Sequence, residues 1–270
     1  MTIRQAIQTA QKRLSSFDAL CLAEKAFHLS KTELRLHGGE SIGPAEFFAL
    51  ANRRAAGEPL QYILGEWEFY GLPFAVGPGV LIPRPETELL ADIALEFVQG
   101  VSGGKNAAPT VVDLFAGSGC VGLSVAHHCP NAKVYLVELS DEAMPYLRQN
   151  AAPCPNAEIV QADVLNCSLF IDHCSFITAN PPYIRTDELG TLQAEVLREP
   201  RMALDGGADG LKFYRALAEK WLPMLAPGGL LACECGEGQA KAIAGLFAPC
   251  ETNILKDFNG IERVVTAKNT

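Results

Sequence analysis

Long apolar runs are missing from this sequence. No stretch of its 270 residues approaches the roughly 20 apolar residues of a membrane span, and residues 1–14 (MTIRQAIQTAQKRL) lack the apolar core of a secretion signal. A cytoplasmic chain with no membrane partner is expected. Positive charge is also scarce: 22 Lys and Arg stand against 31 Asp and Glu, for a net charge of −9. Up to Ala75 there are eight of each sign, so the acidic excess lies entirely beyond that point. A grip on nucleic-acid phosphates needs Lys and Arg, so no direct nucleic-acid partner is expected. The nine cysteines include no Cys-x-x-Cys pair and the five histidines no His-Glu-x-x-His pattern, so no metal site is expected. Cys120, Cys129, Cys233 and Cys235 fall in runs that read as strand or helix, which suits reduced, buried thiols. There is no internal repeat and no low-complexity tract.

What is present is an ordinary globular composition, 49% hydrophobic and 20% charged, in a chain long enough for one large α/β domain and a small companion. Residues 3–56 read as helices, with apolar positions three and four apart, as at Leu14, Phe17, Leu20 and Cys21. Ser41-Ile-Gly-Pro44 opens a further helix. A Gly/Pro-rich stretch follows from 57 to 85, and the alternation in Glu66-Trp-Glu-Phe-Tyr70 marks a hairpin linker. Pro85-Glu-Thr-Glu88 starts the next helix, with acids where the helix dipole favours them. From Thr110 onward strands alternate with helices: strands at 110–115, 133–137, 159–160, 175–179 and 230–233, helices at 120–128, 141–150, 211–225 and 239–247. Two last strand-like segments, 253–256 and 263–267, flank Asn259-Gly260 and predict an antiparallel hairpin on the edge of a parallel sheet. The pattern is that of a doubly wound α/β fold. The expected division is a helical domain over 1–75, a hairpin linker over 76–89 and the α/β domain over 90–270.

Ligands of open α/β sheets bind at the carboxyl ends of the strands. There the first strand runs into Phe115, Ala116, Gly117, Ser118 and Gly119, and the two glycines permit close backbone approach. No Gly-Lys-Ser/Thr follows, which excludes a P-loop. Glu138 ends the second strand, where a carboxylate accepts from ribose hydroxyls. Asp163, after the third strand, either accepts from an adenine amino group or caps its own loop. These features suit NAD and S-adenosylmethionine equally.

The fourth strand ends in Asn180-Pro-Pro-Tyr183. Pro181 and Pro182 fix φ and remove two backbone donors, so the loop presents carbonyl acceptors with little competing donation. The side-chain carbonyl of Asn180 adds another acceptor. Two acceptors hold both hydrogens of a planar NH2 group and aim its nitrogen at a methyl donor, while the Tyr183 ring stacks on the flat group and favours a nearby sulfonium. Such a reaction needs positioning more than a general base.

These motifs resemble the HemK/PrmC family, the protein-(glutamine-N5) methyltransferases of peptide chain release factors, over nearly the whole chain. Glu58-Pro-Leu-Gln-Tyr-Ile63 and Leu81-Ile-Pro-Arg-Pro-Glu-Thr-Glu88 match its linker, and Asn180-Pro-Pro-Tyr183 its catalytic loop. Glu199-Pro-Arg-Met-Ala-Leu204, Gly207, Asp209-Gly-Leu211 and Tyr214 match the next block; Glu234, Gly236, Gln239, Asp257, Gly260 and Arg263 match the tail. The resemblance implies a Rossmann-like class I S-adenosylmethionine-dependent methyltransferase with a mostly parallel seven-stranded sheet, an antiparallel edge strand and a small all-helical N-terminal domain that docks the release factor. It implies contacts to S-adenosylmethionine from Phe115, Ala116, Gly117, Ser118, Gly119, Glu138, Val164 and Asn180. It implies that Asn180, Pro181, Pro182 and Tyr183 hold the glutamine of a Gly-Gly-Gln tripeptide. Phe115 departs from the glycine that many members carry. Arg84, Glu86 and Glu88 either roof the cofactor site or cap a helix, Glu199 either braces the catalytic loop or sits at an exposed helix end, and Asp257 and Arg263 read as structural. A glutamine methyltransferase of a ribosomal protein would share this chemistry. An adenine-N6 methyltransferase would share the loop but lacks its basic target-recognition segment here, and a non-catalytic nucleotide-binding protein would not need the set of Glu138, Asn180 and Tyr183.

Overall fold

The computed structural model describes residues 1–102, 108–166 and 173–270. Its first helices begin where side chains satisfy their free amides. Thr2 and Gln5 form a capping box on α1 (Ile3–Ala10), Ser15 caps α2 (Ser16–Phe27), and Ser30 and Glu33 box α3 (Lys31–Leu36). With α4 (Ala45–Ala55) these bury one apolar cluster around Ile3, Leu22, Phe47 and Leu60.

The Gly/Pro-rich stretch differs from its reading as linker alone. It begins with one more helix, α5 (Leu60–Leu64), which follows Pro59 and stops at Gly65 with φ 81°. The hairpin is β1 (Glu66–Phe69) with β2 (Leu72–Ala75), closed by Tyr70 and Gly71, both at positive φ as a tight two-residue turn requires. Residues 76–89, expected to hold that hairpin, contain no strand. They run as coil to a 3-10 turn (Pro85–Thr87) and the start of α6 (Glu88–Ser102).

The rest is β3 (Thr110–Leu114), α7 (Cys120–His128), β4 (Lys133–Glu138), α8 (Met144–Ala151), β5 (Ala157–Gln161) and β6 (Cys174–Ala179). After these come α9 (Lys212–Ala216), prolonged by a π turn (Leu217–Trp221), then β7 (Leu225–Glu234), α10 (Ala240–Leu246), β8 (Glu251–Lys256) and β9 (Glu262–Lys268). The sheet has seven strands in the order β5-β4-β3-β6-β7-β9-β8, parallel except that β9 runs against both its neighbours. Its strands are apolar on both faces because helices cover both: Leu90, Val98 and Leu123 on one side, Tyr214, Trp221 and Ile243 on the other.

Chain order reverses between β3 and β6, which opens a crevice at their carboxyl ends. The register pairs Leu114 with Val137 and with Ala179, and Ala179 with Cys233. One residue further on, the carboxyl ends of these strands carry Glu138, Phe115, Asn180 and Glu234, of which Glu138 and Glu234 are the last residues of β4 and β7. Among the described residues no helix is long and apolar enough to cross a membrane. The described cysteines form no disulfides and all are buried except the half-buried Cys250; Cys167 lies outside the described residues.

Candidate active site

The turn after β3 is built on three residues at positive φ: Phe115 (63°), Gly117 (56°) and Gly119 (82°). Its backbone is tied on both sides. The Ala116 amide donates to the Val137 carbonyl at 3.0 Å, and the Gly117 amide to Glu138 Oε2 at 2.7 Å. Glu138 also accepts from the amides of Leu139 (2.8 Å) and Ser140 (2.7 Å). A carboxylate offers about four lone-pair sites, so three amides fix its orientation and still leave acceptor capacity toward the crevice. Below the turn, buried Asp113 accepts from the Gly122 amide at 2.8 Å; burial raises its carboxyl to about 7.

Seven of the expected residues surround one cleft: Phe115, Gly117, Glu138, Asp163, Val164, Asn180 and Pro182. Apolar groups from Val80, Ala143 and Phe213 complete it. A flat ring between apolar walls, with a diol at Glu138, matches this donor set, so the cleft fits a nucleoside. Ala116 and Ser118 line an adjoining recess with Thr87 and Arg84. Gly119 faces neither, since a Cβ there would meet Leu123 and Leu147 Cδ1 at 2.7 Å; its freedom serves the turn and helix packing. Asp163 accepts from the Leu165 amide and Asn166 Nδ2, both at 2.8 Å, so it caps its loop while lining the cleft. The Val164 carbonyl is taken by Trp221 Nε1 at 3.1 Å, leaving its side chain to the cleft.

On the far side a third recess is lined by Asn180, Tyr183, Leu192, Val196 and Glu234. Asn180 lines this recess, the main cleft and the one between them. Pro181 is buried and lines none of the three. The loop is held from behind: Gln239 Nε2 donates to the Tyr183 carbonyl at 2.9 Å while its Oε1 accepts from the Gly236 amide at 2.9 Å. Gly206 lies so close that a Cβ would sit 2.8 Å from the Tyr183 backbone. Glu199 is buried, accepts from the Ile82 amide at 3.0 Å and pairs with Arg84, so it braces the segment over the cleft. Asp257 and Arg263 pair at 3.2 Å, and Arg263 also donates to the Cys235 carbonyl, which orders the tail.

Thr87 and Glu234 were given no role by the sequence reading. Thr87 Oγ1 donates to Glu234 Oε2 at 2.5 Å and accepts from Asn180 Nδ2 at 3.4 Å; the Tyr183 hydroxyl donates to Glu234 Oε1 at 3.4 Å. Burial lifts the Glu234 carboxyl to about 7 and raises the Tyr183 phenol. The available signal was the position of Glu234 at the end of an apolar strand.

The chain matches the family described as PrmC N-terminal domain over residues 2–65 and that described as methyltransferase small domain over residues 99–209. It is 37% identical to the release factor glutamine methyltransferase of Moorella thermoacetica, covering 99% of this chain and 98% of that protein. It is 40% identical to the release factor glutamine methyltransferase of Geobacter sulfurreducens, covering 90% and 86%. Among solved structures, the hMettl16 catalytic domain in complex with MAT2A 3'UTR hairpin 6 aligns with a TM-score of 0.59 at 13% identity over 82% of each chain, a likeness of fold alone. With motifs, sheet order and near full-length identity in agreement, the chain belongs to the release factor glutamine methyltransferase family.

Proposed function

We propose that this protein methylates the side-chain amide nitrogen (N5) of the glutamine in the Gly-Gly-Gln tripeptide of a peptide chain release factor. The observation that carries the reading is Asn180, which stands where the cleft beside Glu138 meets the recess of Tyr183, Leu192 and Val196. S-adenosylmethionine, when bound, supplies an electrophilic methyl on a sulfonium. Glu138 would hold its ribose, the Phe115–Gly119 turn its amino-acid end, and Val164 with Asp163 its base. Asn180 Oδ1 accepts a hydrogen of the target NH2 and holds its nitrogen in line with the cleft, while Pro181, buried behind it, fixes the loop. Tyr183 packs against the amide plane. The proton departs after the nitrogen has attacked, so the loop needs no base to begin.

The helical domain supports docking of a protein substrate, because it reaches the acceptor side directly. Arg54 pairs with Asp18 and with Glu195 (2.7 Å each), and Arg198 donates to the Ala56 carbonyl at 2.9 Å. Mass spectrometry of an unmethylated release factor incubated with the protein and S-adenosylmethionine, with DNA in parallel, tests the reading. One methyl on the Gly-Gly-Gln glutamine is expected. Label on DNA adenine, or on neither, would refute it.

A further inference from the structure

Asn180 is useful only if its carbonyl, not its NH2, faces the target amide, because two NH2 groups repel. Two buried groups, Thr87 and Glu234, decide which end faces out. Thr87 has one hydroxyl proton, and it lies on Glu234 Oε2 at 2.5 Å. Burial lifts this carboxyl to about 7, and above that pH the ionised group only accepts, so that proton then has no alternative direction. Thr87 Oγ1 can then serve Asn180 only as an acceptor, and it takes the Asn180 Nδ2 hydrogen at 3.4 Å. The NH2 end of Asn180 is thereby committed to the protein interior and Oδ1 to the junction of the clefts. The Tyr183 hydroxyl donates to the other oxygen of the same carboxylate. Both ends of the Asn180–Tyr183 loop thus report to one side chain, and Glu234 (1% exposed) and Thr87 (2%) are shielded from water that would compete.

We infer that Glu234 is a positioning residue that, acting through Thr87, sets the orientation of the Asn180 amide so that its carbonyl meets the substrate NH2. The inference rests on the reading above that Asn180 accepts from the target amide.

Steady-state methylation of an unmethylated release factor, with calorimetry of S-adenosylmethionine binding, tests it. Thr87→Val keeps the shape and removes the hydroxyl. Its kcat should fall roughly 10- to 100-fold, with KM and cofactor affinity within about twofold, since uniform binding is untouched. Thr87→Ser keeps the relay and should recover most of the lost rate. Glu234→Gln, which presents either polarity to Thr87, tests the relay should Thr87→Val fail to fold, and a lower kcat at unchanged cofactor affinity is expected. Wild-type kcat in Thr87→Val or in folded Glu234→Gln overturns the inference. So does an equal loss in Thr87→Ser and Thr87→Val, which would mark a packing role. Loss of rate in Asn180→Ala alongside either result leaves the parent reading standing, whereas full turnover by Asn180→Ala sinks both.

Discussion

Asp113 and Glu234 are both buried carboxyl groups near the carboxyl edge of one sheet, and burial lifts both to about 7. Their partners differ. Asp113 accepts from a backbone amide, that of Gly122, at the start of the helix after the donor turn. Glu234 accepts from the hydroxyls of Thr87 and Tyr183, side chains that border the reacting loop. A raised carboxyl therefore marks burial, not chemistry; the identity of the partners separates a scaffold acid from a site acid. The same contrast runs across the crevice. The donor turn is held through its own backbone groups, by the Val137 carbonyl and the Glu138 and Asn150 side chains, and the acceptor loop by a relay between side chains.

The largest effect should come from breaking the acceptor side. Asn180→Ala removes an oriented acceptor from the target amide and should lower kcat by roughly 10²–10³, the range seen when one preorganised hydrogen-bonding group is deleted. Cofactor affinity and the melting temperature should barely move, and turnover within tenfold of wild type would break the contrast. On the donor side, Glu138→Ala should instead weaken S-adenosylmethionine binding roughly 10- to 100-fold, a charge-assisted hydrogen bond being worth about 1.5–3 kcal/mol. Calorimetry checks this, and unchanged affinity would remove the ribose role.

The sequence made the donor side legible because its chemistry is local. Five consecutive residues after a strand, and an acid at the end of the next strand, are visible as a pattern. The relay was not legible, because Thr87 and Glu234 are 147 positions apart and meet only through the sheet order that sets β7 beside β6. The glycine signature at Gly119 is local in the same way as the rest of the donor turn, and what the pattern did not show is that the space beside its Cα belongs to Leu123 and Leu147. The hairpin was visible in its alternation, yet its position was blurred by prolines and glycines on both sides of α5.

Asp113 supplies the next sharpening, through stability and not rate. Its carboxyl lies near 3.8 when unfolded and about 7 when folded. The folded chain therefore holds a proton that the unfolded chain has lost between those values. That contribution is fully present below about 3.8 and is lost as pH rises through about 7. Asp113→Asn should flatten the fall in denaturant midpoint between pH 5 and about 8. An unchanged slope would count against a buried, protonatable Asp113. Gly122→Ala acts at the same spot by sterics: a Cβ would sit 2.8 Å from Asp113 Oδ2 and closer still to Leu136. It should cost about 1–3 kcal/mol of stability, read from the same denaturant curves.

The smallest effect is expected where two donor-side forces oppose each other. Phe115 occupies the left-handed region at φ 63°, where a residue with a Cβ is strained by about 1–2 kcal/mol. Its ring meets Phe213 edge-on at 5.2 Å, an arrangement worth about 0.5–1.5 kcal/mol beyond burial. Phe115→Gly relieves the first, forfeits the second and adds about 0.5–1 kcal/mol of unfolded-chain entropy. The half-buried ring's own apolar burial is lost as well, so the net should be a destabilisation of about 1–2 kcal/mol. A drop beyond about 2 kcal/mol would mean that the aromatic pair, and not the backbone bonds of the turn, holds the donor side together. The distinction between a backbone-held donor side and a side-chain-held acceptor side would then fail at its first residue.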